Sequence, residues 1–282
     1  MTSQTVPVVP APLTFEESRL MAQSLIKKHQ VAVVLLHWFN AIVWALELMT
    51  GSALIVAPAY RFMPNWYLTM MQEMAGGRAN LLRIHIAVGV TWTIVFVVYA
   101  VFGWRYFLHA EVLRKEIGLE GDDFRWLRIR ILLLLNRTRE ELPPQGAYNA
   151  GQKLYALLIY AMVPIIMITG WIMAFHLIGT FAVQWAMVLH FVAAGMVVSG
   201  LMIHVYMGAV FPEEKPAFYS MITGMVDELY AYKHHFKWWR EVKLQQHEWQ
   251  EGIENEGREA VLVAKRADDS NRAGAARIDP EA

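Results

Sequence analysis

The chain has 282 residues, of which 56% are hydrophobic, and its 25 basic residues balance 25 acidic ones to a net charge of zero. That balance gives no electrostatic footprint for nucleic acid, and the composition, with 11 Trp and 16 Met, is that of a membrane protein. With no cysteine, disulfides, cysteine-ligated iron–sulfur clusters and covalent c-type haem attachment are excluded within the chain.

Residues 1–30 read as a cytoplasmic N-terminal arm, disordered at first and helical from Phe15. Pro7, Pro10 and Pro12, followed by Glu16, Glu17 and Arg19, interrupt any apolar run there, so a signal peptide is not expected. The first predicted span covers about 31–57 and holds His37 near its start, with Ala41 one turn on, and Glu47 near its middle. A carboxylate at that depth is costly. Glu47 needs a proton or a polar partner inside the bundle, and a proton-handling role stays open.

The loop over 58–80, with Pro64, Trp66 and Tyr67, suits a membrane interface or a docking surface for another subunit. The second span covers about 81–108, with His85 near its start and Gly89 one turn later. Arg78 and Arg83 lie beside it, placed to meet haem propionates. The connection over 109–148 is rich in arginine and contains an amphipathic stretch over 123–137 suited to the membrane surface. The third span covers about 154–177, with Pro164 as a candidate kink.

The fourth span, about 185–211, reads WAMVLHFVAAGMVVSGLMIHVYMGAVF and carries no acid, lysine or arginine. His190 and His204 stand fourteen residues apart on it. On a helix that puts them within about 40° of one face and about 21 Å apart along the axis. One shared metal ion is thereby excluded, and two separate sites are favoured. Small residues lie one turn from each: Ala194 after His190, and Gly200 and Gly208 on either side of His204. A large flat ligand needs such gaps, so the helix is expected to give one axial ligand to each of two b-type haems; the competing reading is two polar residues packed in a bundle. Residues 212–249 read as a charged cytoplasmic tail, and residues 250–282 as disordered, being rich in charge and alanine without apolar periodicity.

The fold class expected is all-α: an integral membrane four-helix bundle, domain 31–211, with cytoplasmic N- and C-termini, because the basic residues concentrate in the arm, the 109–148 connection and the tail. With that topology the histidines pair by depth. His37 and His204 fall at the inner side, and His85 and His190 toward the outer side. Two bis-histidine haems have no open coordination position and serve electron transfer rather than chemistry on a ligand. His109 and His176, at span ends, are rivals for the outer site. His29, His234, His235 and His247 are expected to be interfacial or solvated.

Three patterns carry a family resemblance: the four-histidine layout, the segment YNAGQK (148–153), and the tail GMVDELYAYKHHFKWWRE (224–241). Over about residues 30–245 the chain resembles the cytochrome b (gamma) subunit of membrane-bound respiratory formate dehydrogenases. The resemblance implies a bacterial inner-membrane subunit, not itself catalytic, that joins an iron–sulfur (beta) subunit and a molybdenum or tungsten catalytic (alpha) subunit outside the membrane. It implies electrons entering at the outer haem and a quinone reduced beside the inner haem by a site using Asn149 and Gly151, with Gln152 adjacent. Asn149 is also placed as a helix N-cap for the third span. Glu47, the arm and the tail past Trp249 depart from the family pattern, and the arm is a candidate partner-binding element. Rival readings are the equivalent subunit of a nickel–iron hydrogenase or thiosulfate reductase-type complex, a haem-free transporter or anchor, and a haem-binding ferric or ascorbate reductase.

Overall fold

Four helices account for the apolar runs: α2 (Val31–Leu54), α4 (Arg78–Gly103), α7 (Ala150–Phe175) and α8 (Thr180–Val205). A computed structural model describes residues 10–103 and 110–275. Each of the four is long and apolar enough to cross a membrane, because about 20 residues at 1.5 Å rise cover a 30 Å hydrocarbon layer. Their outward faces present Leu35, Ile42, Val97, Ile168 and Val192 without protein cover, as lipid-facing helices do. The end of the second predicted span, 104–108, and His109 lie outside the described residues.

The bundle packs as α2 on α4 and α7 on α8, with α4 on α7 closing the group. Val43, Trp92 and Val163 form its central cluster, and Trp92 donates from Nε1 to Asn40 Oδ1 at 2.8 Å, so the buried indole N–H is satisfied. α7 runs through Pro164 as one helix. α8 does not stop at His204 but passes into a π-helical turn over Tyr206–Val210, closed by Phe211 N–H donating to Tyr206 O at 2.9 Å. Between α2 and α4 a short helix, α3 (Asn65–Met74), packs Leu68 and Met71 back on the bundle.

At the opposite end the arm and tail fold together. Thr14 and Glu17 make a reciprocal capping box that starts α1 (Phe15–Gln23). Strand β1 (Leu25–Lys27) then pairs antiparallel with β2 (Met225–Asp227), Ile26 opposite Val226. Around this pair, Tyr230, Ala231, Tyr232, Phe236 and Trp239 form a second core that Leu13 and Met21 cover. The start of the arm, residues 1–9, expected to be disordered, lies outside the described residues; from residue 10 onward the arm, a candidate partner-binding element, is tied to the chain's own tail: Ala11 N–H donates to the Tyr232 hydroxyl at 2.8 Å. Three-residue strands carry too little periodicity to announce themselves in a sequence.

The connection over 110–148 holds α5 (Ala110–Ile117) and α6 (Gly121–Leu134), and the latter buries Asp123, Trp126, Ile129 and Arg130. After α9 (Lys215–Thr223) and α10 (Glu228–His234), α11 spans Phe236–Ala275. The stretch from 250 expected to be disordered is therefore helical as far as Ala275. Its Glu, Lys, Arg and Ala are strong helix formers, and absence of an apolar stripe argues against packing rather than against helicity.

Candidate functional site

The fourteen-residue spacing on α8 sends two imidazoles to two different partners. His204 faces His37 of α2, with ring centroids 6.4 Å apart and planes at 55°. His190 faces His85 of α4, also at 6.4 Å, with planes at 81°. A metal–imidazole nitrogen bond is about 2 Å, so two rings on opposite sides of one iron have centroids about 6 Å apart. Each pair thus stands one iron's width apart. Among the described residues no three His, Asp or Glu side chains converge as a metal site. Each pair offers two ligands only, the number required by a metal already held in the plane of a macrocycle. His176 takes no part in either pair: it ends α7 in the left-handed region, φ 49°.

The His85–His190 pair is held by hydrogen bonds on its outward nitrogens. His190 Nδ1 donates to the carbonyl oxygen of Ile166 at 3.1 Å and lies 3.0 Å from Thr169 Oγ1. His85 Nδ1 lies 2.7 Å from Glu47 Oε2 and 2.9 Å from Thr50 Oγ1. Both threonine hydroxyls donate one turn back along their own helices, Thr50 to Leu46 O at 2.7 Å and Thr169 to Ile165 O at 2.5 Å. With Nδ1 occupied, Nε2 of each ring carries the lone pair a metal needs. Glu47 therefore has the polar partner its depth demands. Gly89, one turn beyond His85, lies against Glu47: a Cβ there would stand 3.4 Å from Oε1. The residue that gives His85 its room is Gly51, where a Cβ would come within 3.1 Å of His85 Cε1.

The His37–His204 pair is built differently. Among the described residues His37 Nδ1 is buried without a hydrogen-bond partner, and Trp38 meets the ring edge-on at 5.4 Å. Tyr155 stacks on His204 at 5.0 Å with planes at 21°. Gly200 permits this approach, since a Cβ there would be 2.8 Å from two ring carbons of Tyr155. Open space surrounds Gly208.

Tyr155 lies six residues along α7 from Asn149, about 9 Å at 1.5 Å per residue, so the 148–153 segment lies at the same end of the bundle as His37 and His204. Asn149 Oδ1 accepts from Gln152 N–H at 3.0 Å, and Gln152 Oε1 accepts from Asn149 N–H at 2.9 Å. This capping box consumes both amide oxygens, and among the described residues neither side-chain NH2 group has a partner. Gly151 stands against Asn149 Oδ1 and the Trp126 ring. One turn on, Lys153 makes a buried ion pair with Asp123 at 2.9 Å and donates to Gly118 O at 3.2 Å, fixing α7 to α6. Burial raises the Tyr148 phenol above its ordinary pKa, and Glu116 adds to the shift.

Beneath this segment lies a junction the sequence did not announce. His235, expected to be solvated, is 1% exposed. Its Nδ1 donates to Gly146 O at 2.8 Å, and its Nε2 receives Lys28 Nζ at 3.2 Å. Lys237 N–H donates to Gln145 O at 2.9 Å, and Gln145 Oε1 in turn accepts from Ala150 N–H at 2.8 Å. His234, also expected to be solvated, stacks on Tyr230 at 4.5 Å. Arg83, placed by sequence near a propionate, donates to Asn80 Oδ1 at 3.0 Å. Thr50, Thr169, Gly51 and Tyr155, and Gly170, where a Cβ would stand 3.4 Å from His190 Cε1, were not singled out from the sequence; threonines within the spans were the available signal.

The chain is similar to known membrane cytochromes. The family model described as prokaryotic cytochrome b561 matches residues 28–224. The formate dehydrogenase cytochrome b556 subunit of Haemophilus influenzae is 26% identical over 222 residues, 77% of this chain and 83% of that protein. The cytochrome b556(fdo) subunit of Escherichia coli formate dehydrogenase is 28% identical over 217 residues, 73% of this chain and 88% of its own. The nitrate-inducible formate dehydrogenase's cytochrome b556(Fdn) subunit from the same organism is 28% identical over 148 residues, 51% of this chain and 66% of that one.

Proposed function

The chain belongs to the prokaryotic cytochrome b561 family, and from that membership we propose that it is the dihaem membrane subunit of a respiratory formate dehydrogenase. In this reading it passes electrons from a periplasmic iron–sulfur unit and its molybdenum or tungsten catalytic partner to quinone on the cytoplasmic side. The observation that carries the reading is the pair of cross-helix imidazole couples, each with centroids 6.4 Å apart. Haem b, when bound, supplies one-electron carriers without an open coordination position.

This chain's residues do the rest. His85 and His190 would hold the outer haem, and His37 and His204 the inner one. His190 places the two sites about 21 Å from each other along α8 with His204, so α8 is the shared strut that spaces them. The arm, the 110–148 connection and the tail face the cytoplasm, where their basic residues favour them, and α3 faces outward beside the docking partner. Asn149 and Gln152 cap α7 with their oxygens and keep their NH2 groups for a quinone carbonyl, which wants hydrogen-bond donors as it gains electrons. Gly151 leaves backbone accessible beside them. The Lys153–Asp123 pair and the His235–Gly146 bond hold that segment still. Protons are released outside by formate oxidation and taken up inside with quinone reduction, so charge separates across the membrane without a pump.

Membranes containing the complex test the reading. Formate should reduce the b-type absorbance, and a quinone analogue should reoxidise it. Absorbance that responds to hydrogen but not to formate would instead assign the chain to a hydrogenase complex.

A further inference from the structure

Among the described residues, three of the four paired imidazoles make their polar and ring contacts with neutral groups or with none. His190 Nδ1 meets the Ile166 carbonyl and the Thr169 hydroxyl, His37 Nδ1 has no partner, and His204 stacks on Tyr155. Among the described residues His85 alone of the four meets a carboxylate, with Glu47 Oε2 2.7 Å from Nδ1. Glu47 lies mid-span, a costly position for an acidic side chain. Among the described residues its second oxygen, Oε1, is buried without a hydrogen-bond partner, so the His85 contact is what holds the group there. Simple burial of an apolar side chain would have served packing better.

On the haem reading given above, we infer that Glu47 is a positioning residue for His85 that sets the reduction potential of the outer haem below that of the inner one. A carboxylate accepting from the Nδ1 proton makes the ring a stronger donor through Nε2. A stronger axial donor stabilises ferric over ferrous iron, which lowers the potential. Among the described residues the inner pair has no such acceptor. The asymmetry gives electrons a downhill direction from the outer site to the inner site, written into the side chains of α2. Thr50 shares the same nitrogen at 2.9 Å but brings no charge, so its effect is secondary.

The test is a potentiometric titration of the α-band in the purified complex, comparing wild type with Glu47→Gln and Thr50→Val. E47Q keeps the shape and removes the charge. The lower-potential component should rise by about tenfold in its reduction equilibrium, about 59 mV for one electron, while the upper component stays in place and both haems remain bound. T50V should move the same component less. If E47Q does not retain the outer haem, Glu47→Asp is read instead: its shorter side chain draws the carboxylate back from Nδ1, and the lower component should again rise. Two retained haems with both potentials unmoved, or a shift confined to the upper component, would overturn the inference. Absence of haem from the wild-type complex would overturn the haem reading itself, so the two failures are distinguishable.

Discussion

His235 donates its Nδ1 proton to the carbonyl oxygen of Gly146 at 2.8 Å, joining the tail to the loop just ahead of Asn149. With Lys28 on its other nitrogen, one imidazole links arm, tail and the entrance to α7. Replacing it strands a carbonyl and a lysine in a buried place. His235→Ala should cost about 1–3 kcal/mol of stability and raise the KM for a quinone analogue while haem content stays at the wild-type level. Unchanged melting temperature and quinone kinetics would show that the junction does not hold the segment.

The same junction predicts an acid limb. Burial, and then the charge of Lys28, lower the pKa of His29 to about 4 and push His235 well below its ordinary value. Between about 6.5 and 4 the unfolded chain binds more protons than the folded one, so stability present at pH 6.5 and above is lost as pH falls toward 4. Burial also lowers Lys28 to about 8, against the pull of Glu214, so stability rises between about 8 and 10.5 as that penalty is relieved. Melting temperature against pH should show both slopes, and His29→Gln with His235→Gln should flatten the first.

Two glycines should separate the two sites. Gly51→Ala sets a methyl 3.1 Å from His85 Cε1, and Gly200→Ala sets one 2.8 Å from the Tyr155 ring. G51A should weaken retention of the outer haem by roughly tenfold, and G200A that of the inner haem by a similar factor. Reduced-minus-oxidised spectra would show it, and loss of the inner component in G51A would contradict the assignment.

The Asp123–Lys153 pair, with side chains 3% and 7% exposed, should behave as a buried ion pair. Asp123→Asn or Lys153→Met alone should cost about 3–5 kcal/mol, and joint apolar replacement should recover most of it. Thermal unfolding of the purified protein measures this; a single variant as stable as wild type would refute it.

Much of the bundle was legible because helix geometry is regular. Apolar length marks α2, α4, α7 and α8, and a constant rise places His37 level with His204 and His85 level with His190. Register along one helix, however, does not reveal what another helix brings to a ring. Thr169 beside His190, Tyr155 on His204 and Gly51 against His85 depend on helix rotation and close approach, which hydropathy does not encode. Gly200 was read as a gap for a flat ligand, yet it accommodates Tyr155. His235 looked solvated because its neighbours Lys233, Lys237 and Arg240 are charged; its burial comes from Gly146 and Lys28, 89 and 207 residues away.

The most direct measurement is pyridine haemochrome quantitation on the purified protein, for wild type and for His37→Ala, His85→Ala, His190→Ala and His204→Ala. Two haems b per chain are expected. H37A and H204A should lose one and the same redox component, and H85A and H190A the other. A folded wild-type protein with no haem, or losses that pair His37 with His85, would contradict it.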